Sequence, residues 1–188
     1  MNFLAHLWLA DGSRTSLAGA ILGDVVRGAD LSAYPNDIAL GIRLHRRIDA
    51  ATDRHPLMLA ARSRFAPGER RYAGIVLDLA CDHALSLDWP AHSPEPLTDF
   101  CRRAAAEVAS AAPWFVQAGA RPPDAEGFAA LLQSYADEDG MTTALQRIAR
   151  RMREPDRLLQ AGTGWRRHAQ ELQPQLPALL QNLVAIMQ

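Results

Sequence analysis

The chain has 188 residues, of which 48% are hydrophobic and 22% charged, and its formal net charge is −1. This length and composition are typical of one folded domain with a hydrophobic core and exclude long disordered stretches. The near-zero charge gives no general attraction to nucleic acid or to an anionic membrane, so we expect neither as a partner. No apolar run approaches the ~20 residues of a membrane span, and Cys81 and Cys101 have no metal-type spacing. We therefore expect a cytoplasmic protein.

The sequence predicts a single all-α domain over residues 1–188. Ala, Leu and Arg dominate the chain and favour helix, whereas proline and glycine fall mostly between the helical segments. One helix is expected to follow Pro35 and run to about Arg54, and Asp124 is expected to cap another that runs to Tyr135. The remaining helices are predicted over residues 3–10, 15–26, 70–87, from Ser93-Pro94 to about 110, 142–152 and from about 164 to the end.

The strongest chemical signal lies in the third predicted helix. At about 100° per residue, His45 and Asp49 fall in the same sector as Ile42, so both polar residues belong to the buried face of the helix. Because buried polar groups need partners, a core histidine held by a carboxylate is one interpretation. A pair of residues at a metal site is the other.

The segment from residue 70 to residue 87 carries the second signal. It is apolar almost all round, which indicates burial, yet Asp78 and Asp82 lie one turn apart on it. Two carboxylates at this spacing repel each other, and burial increases the cost unless a cation lies between them. Either a metal ion or an arginine from elsewhere could supply that cation.

His6 and Asp24 are weaker candidates when each is considered alone. His6 lies in an apolar segment, where a core histidine is common, and Asp24 follows Gly23 near a helix end, where a carboxylate can simply be solvated. Nitrogen and oxygen donors without thiolate suit Mn²⁺, Fe²⁺, Mg²⁺ or Zn²⁺, and helical proteins build such sites from several helices. The candidates from the first half of the chain are His6, Asp24, His45, Asp49, Asp78, Asp82 and His83.

The segment from residue 43 to residue 71 is rich in arginine. It contains eight arginines against Asp49, Asp53 and Glu69, an excess of five positive charges. Each arginine alone is explained by a solvated surface. As a group beside a metal site, they would suit a phosphate-bearing or acidic macromolecular partner.

Six short segments together resemble the acyl carrier protein phosphodiesterase family. They are Met1–His6, Leu22–Asp24, Gly41–Asp49, Thr52–Pro56, Arg71–Asp78 and Asp82-His83. The resemblance implies a helical HD-like bundle, a variant of the HD-type phosphohydrolase fold. It implies hydrolysis of the phosphodiester that joins 4′-phosphopantetheine to holo-acyl carrier protein, with a divalent metal: Mn²⁺ first, Mg²⁺ or Fe²⁺ otherwise. The chain has no His-Asp dipeptide, so it would belong to an atypical branch of HD-type enzymes.

With this resemblance, each candidate residue receives a predicted role. The predicted metal ligands are His6, Asp24, His45, Asp78 and Asp82. The residues predicted to orient ligands or transfer protons are Asp49 and His83. The residues predicted to bind the phosphate or the acidic carrier protein are Arg43, Arg46 and Arg47.

Two other functions remain open at this level. One is an HD-type phosphohydrolase that acts on a small nucleotide or other phosphate ester, which should be insensitive to charge reversal at Arg62 and Arg64. The other is a helical binding module without activity, in which the polar residues are structural. That module should be insensitive to a chelator.

Overall fold

A computed structural model describes residues 1–187, which form thirteen α-helices and two 3₁₀ turns without a β-strand. The all-α prediction is confirmed. The helices are α1 (Phe3–Gly12), α2 (Leu17–Leu22), α3 (Asn36–Arg54), α4 (Pro56–Ser63), α5 (Ala73–Leu87), α6 (Trp89–His92), α7 (Leu97–Ser110), α8 (Ala112–Gln117), α9 (Ala125–Ser134), α10 (Glu138–Ala149), α11 (Pro155–Gly162), α12 (Trp165–Leu172) and α13 (Leu176–Met187). The 3₁₀ turns are Arg70–Tyr72 and Gln173–Gln175.

Local sequence signals explain several helix ends. Helix α3 follows Pro35 and ends at Arg54, as predicted. The predicted cap of α9 is confirmed, because the Gly127 N–H donates to Asp124 Oδ1 at 2.7 Å. The start of α7 was predicted too early: the Glu95 N–H donates to the Ser93 hydroxyl in a turn, and the helix begins only at residue 97.

Helix α5 lies at the centre of the hydrophobic core. It contacts α1, α4, α10, α11, α12 and α13, and Val76, Leu77 and Leu85 on different sides of it are fully buried. A helix enclosed in this way must be apolar around most of its circumference. The burial that the sequence predicted for this segment is therefore confirmed.

Helices α2 and α3 contact each other through their backbones. A Cβ atom placed on Gly19 would lie 2.9 Å from Cα of Gly41, and a Cβ atom on Gly41 would lie 2.9 Å from Cα of Gly19. Any side chain at either position would push the helices apart. This contact fixes the residues that follow α2 beside the second half of α3.

None of the helices within residues 1–187 is both long and apolar enough to cross a membrane.

Candidate metal centre

His6, His45 and Asp49 form a compact polar cluster between α1 and α3. His6 Nε2 lies 2.9 Å from Asp49 Oδ1, and His45 Nε2 lies 3.0 Å from Asp49 Oδ2. The two imidazoles are stacked, with centroids 3.9 Å apart. Both histidines are buried, whereas the Asp49 side chain is 41% exposed. The cluster is therefore enclosed on its histidine side and open to solvent at its carboxylate.

The packing of α2 against α3 leaves room for the His45 ring. A Cβ atom on Gly23 would lie 2.2 Å from Cγ of His45, so only glycine fits there. The next residue, Asp24, places Oδ1 at 3.4 Å from His45 Nε2 and is half exposed. The sequence Gly23-Asp24 thus brings a second carboxylate to the cluster without displacing the imidazole.

The two histidines differ in protonation. Burial lowers the pKa of His6 to about 4, so its imidazole is neutral. Burial also acts to lower the pKa of His45, but hydrogen bonds with Asp24 and Asp49 outweigh it and raise that pKa to about 9. For Asp49, burial acts to raise the pKa, yet the hydrogen bonds with His45 and His6 hold it well below its usual value. Asp49 is therefore charged at neutral pH.

The donor set fits a divalent transition metal. Atoms of His6, His45 and Asp49 that can bind a metal lie within 4.8 Å of one another, and two imidazoles with carboxylate suit Mn²⁺, Fe²⁺ or Zn²⁺. The Nδ1 atoms of both rings are buried and have no hydrogen-bond partner among residues 1–187. The ring orientations are thus set by Asp49 and by stacking, not by an acceptor behind each ring.

Asp78 lies at the edge of this cluster. The α-amino group of Met1 is 3.0 Å from Asp78 Oδ1 and 3.7 Å from Asp49 Oδ1. Burial acts to lower the pKa of this amine, but Asp78 and Asp49 raise it to about 10. A charged amine therefore lies beside Asp78, which the sequence had predicted to need a cation. The role of Asp78 as a metal ligand stays a prediction.

Asp82 caps α1 and does not contact the imidazoles of the cluster within residues 1–187. The backbone N–H groups of Leu4 and Ala5 donate to its two carboxylate oxygens at 2.7 and 3.1 Å. The residue that precedes α1, Asn2, makes no side-chain capping bond, so a carboxylate from α5 takes that role. Burial raises the pKa of Asp82 to about 7. The structure therefore does not bring Asp82 together with the histidines.

His83 also lies apart from the cluster. Its Nδ1 is 2.7 Å from the carbonyl oxygen of Tyr135, and its ring meets the ring of Trp165 edge-on at 4.9 Å. His83 lines a pocket together with Glu138, Trp165 and Arg166. These surroundings do not include the other predicted site residues.

The three predicted phosphate-binding arginines differ in their contacts. Arg46 donates to the carbonyl oxygens of Val26 and Gly28, both at 2.8 Å, and so holds the loop that follows α2. Arg47 donates to the carbonyl oxygen of Ile186 in α13. Arg43 is exposed and makes no hydrogen bond or ion pair within residues 1–187. Of the three, Arg43 has the side chain that is available to a partner.

Sequence reasoning included Asp49 among the site residues but missed the Met1 amine. Asp49 was predicted to orient ligands or transfer protons, and both histidines contact it. Its position four residues after His45, in the same helical sector, was the signal for a central role. The α-amino group of Met1 carries no signal of that kind, because its position depends on how α1 packs against α5.

Comparison with known proteins identifies the family. The family model described as acyl carrier protein phosphodiesterase matches residues 1–183. A protein of that name from Salmonella paratyphi A is 41% identical over 159 residues, which are 84% of this chain and 82% of the relative. One from Enterobacter sp. (strain 638) is 49% identical over 114 residues, or 60% of this chain and 59% of the relative.

A third relative of the same name, from Photorhabdus laumondii, is 51% identical over 89 residues, which are 47% of this chain and 45% of the relative. The chain thus spans about half of the length of two of these relatives and most of the third. No solved structure matches the chain, so the HD-type fold stays a prediction. The chain belongs to the acyl carrier protein phosphodiesterase family.

Proposed function

We propose that the chain is a metal-dependent phosphodiesterase that removes 4′-phosphopantetheine from holo-acyl carrier protein and leaves the apo-protein. The observation that carries this proposal is the cluster of His6, His45 and Asp49, which is closed behind the histidines and open at the carboxylate. The names of the relatives supply the substrate.

The proposed metal ligands are His6, His45 and Asp49, with Asp24 beside them. A divalent ion held there would supply positive charge to a phosphoryl oxygen and lower the pKa of a water molecule. Mn²⁺ is our first choice, with Mg²⁺ and Fe²⁺ as alternatives.

Cytoplasmic location also stays a prediction.

The side chains around the cluster have distinct tasks in this proposal. Asp49 lies against the Nε2 atoms of both imidazoles, so its two oxygens and these two nitrogens are the atoms that would surround the ion. Asp24 is half exposed and contacts the cluster through one oxygen, so its other oxygen can accept a proton from an attacking water. The Met1 amine compensates the charge of Asp78. Within residues 1–187, His83 contacts the Tyr135 carbonyl and the Trp165 ring, so we do not give it a part in proton transfer at this site.

The proposed partner is acidic, and the arginine-rich segment suits it. Arg43 projects from α3, the helix that also carries His45 and Asp49, and it is exposed without a partner in the described chain. Leu40, one turn earlier, is a large apolar side chain that is 51% exposed. Together the two side chains would offer an acidic partner one charged and one apolar contact.

The proposal is tested by mass spectrometry of the carrier protein. Purified enzyme is incubated with holo-acyl carrier protein and Mn²⁺, with and without EDTA. We expect metal-dependent loss of the phosphopantetheine mass, and no loss with Asp49→Asn. Asp99→Asn, an exposed carboxylate on α7, is the control and should behave as the wild type. An unchanged carrier protein with every divalent metal would refute the proposal. Cleavage of small phosphodiesters alone would favour a small nucleotide or other phosphate ester as the substrate.

A further inference from the structure

We infer that Arg62 is a phosphate-binding residue of this site and that Asp53 positions it. The inference rests on the proposed function, because it concerns the phosphoryl group that the cluster would act on. Sequence reasoning had placed Arg62 only within a general basic segment.

Arg62 reaches from α4 into the groove between α3 and α5. Its Nη2 donates to Asp53 Oδ1 of α3 at 2.5 Å. The same nitrogen lies 3.5 Å from the point where a Cβ atom on Gly74 of α5 would be. The guanidinium therefore contacts α3 through an ion pair and passes α5 beside Gly74.

The helical register places this contact next to the metal cluster. Asp53 follows Asp49 by one turn of α3, and Gly74 precedes Asp78 by one turn of α5. Residues four apart on a helix are neighbours on one face, separated by a rise of about 6 Å. The groove thus has two adjacent levels, one formed by Asp49 and Asp78 and the other by Asp53 and Gly74.

Each level of the groove holds a cation between α3 and α5. At the first level the cation is the Met1 amine, which lies 3.7 Å from Asp49 and 3.0 Å from Asp78. At the second level it is the Arg62 guanidinium. The two levels are about one helical turn apart, so a phosphoryl group bound between them could accept hydrogen bonds from the guanidinium.

Arg62 has donors left for such a ligand. Its Nη1 makes no hydrogen bond within residues 1–187, and Nη2 is the nitrogen that pairs with Asp53. The side chain is 30% exposed, so it is held in place and can still be reached from solvent. Arginine binds phosphoryl oxygens through parallel N–H groups, which suits a residue held in this way.

Arg64 provides a matched control. It lies two residues after Arg62 and also pairs with one carboxylate, but its partner is Glu171 of α12. Its side chain lines a different pocket, together with His168 and Leu172. Removing Arg64 changes the net charge of the same region by the same amount without altering the groove between α3 and α5.

The test is binding of inorganic phosphate to the Mn²⁺-loaded protein, measured by isothermal titration calorimetry. We expect Arg62→Ala to weaken phosphate binding by about 10-fold or more, the loss typical of a charged hydrogen bond. Arg62→Lys should lose less, and Arg64→Ala should bind phosphate as the wild type does. Mn²⁺ affinity, measured in the same series, should be unchanged in all three variants.

A purely structural ion pair predicts a different pattern. Arg62→Ala would then lower the melting temperature and leave phosphate affinity unchanged, and that result would overturn the inference. If Arg62→Ala does not fold, Arg62→Gln and Arg62→Lys serve in its place, with circular dichroism as the check on folding. Absence of phosphate binding by the wild-type protein would also overturn the inference. Phosphate binding that depends on Arg62, without cleavage of the carrier protein, would keep the inference and remove the proposed substrate.

Discussion

Asp49 and Asp82 both contact α1, yet they do so in opposite ways. Asp49 contacts the side chain of His6 and is 41% exposed, and its pKa is held low by two imidazoles. Asp82 accepts two backbone N–H groups at the start of the same helix, is fully buried, and has a raised pKa. The comparison teaches that two carboxylates that contact the same helix can differ in role. Asp49, with two imidazole partners and access from solvent, is the better candidate for a ligand than Asp82.

The sharpest test of this difference is the loss of one carboxylate charge at each position. Asp49→Asn should weaken Mn²⁺ binding by at least about 100-fold, beyond the 10–100-fold typical of residues that only support a ligand. Asp82→Asn should leave Mn²⁺ affinity within about three-fold of the wild type, a change below ~1 kcal/mol, because the Asp82 oxygens bind backbone N–H groups of α1. Calorimetric titration with Mn²⁺ measures both, and equal losses in the two variants would contradict the distinction.

The space beside His45 gives the next largest effect. Gly23→Ala places a Cβ atom 2.2 Å from His45 Cγ, so the His45 ring must leave its present position beside Asp49. We expect Mn²⁺ affinity to fall by about 10-fold or more, as when the support of a ligand is lost. Gly12→Ala is the matched control, because a Cβ atom there meets nothing within 4 Å. Wild-type affinity in Gly23→Ala would show that His45 is not held by this contact.

For Asp82 the expected effect is on stability. Asp82→Ala leaves the N–H groups of Leu4 and Ala5 buried without an acceptor, and we expect the free energy of unfolding to fall by about 1–3 kcal/mol. Urea denaturation followed by circular dichroism measures the change. Asp82→Asn keeps one carbonyl acceptor and should lose less. A neutral result for Asp82→Ala would rule out the capping role.

Measured over a single pH unit, the smallest effect is the dependence of stability on pH. Burial raises the folded-state pKa of Asp82 to about 7, above the value of about 3.9 expected in the unfolded chain. The folded protein then holds more protons than the unfolded protein between about pH 4 and 7. The contribution of Asp82 to stability therefore falls as pH rises through this window, by at most about 1.4 kcal/mol per pH unit. Asp82→Asn should flatten that part of a urea-denaturation profile, and an unchanged slope would contradict the raised pKa.

The residues of α3 could be predicted because that helix has one buried face. His45 shares a sector with Ile42, and both are buried in the structure, so periodicity alone placed the histidine correctly. The residues of α5 could not be assigned in the same way. That helix is buried around most of its circumference, so no periodicity indicates which neighbour Asp78 or Asp82 contacts.

Some contacts of the site depend only on tertiary packing. The spacing of Asp78 and Asp82 indicated a need for compensation, and the structure supplies it through the Met1 amine and the first turn of α1. A one-dimensional pattern reports which face a residue occupies and not which element covers that face. For the same reason, the sequence did not distinguish Arg62 from its neighbours.

The glycine contact between α2 and α3 affects how the site responds to sequence divergence and to heating. Where two helices meet backbone to backbone at Gly19 and Gly41, no side chain lies between them that could adopt another rotamer. The separation of Asp24 from His45 is then insensitive to repacking elsewhere in the core. Sequence divergence or heating can loosen distant parts of the core and reduce stability while the spacing of these two residues stays the same.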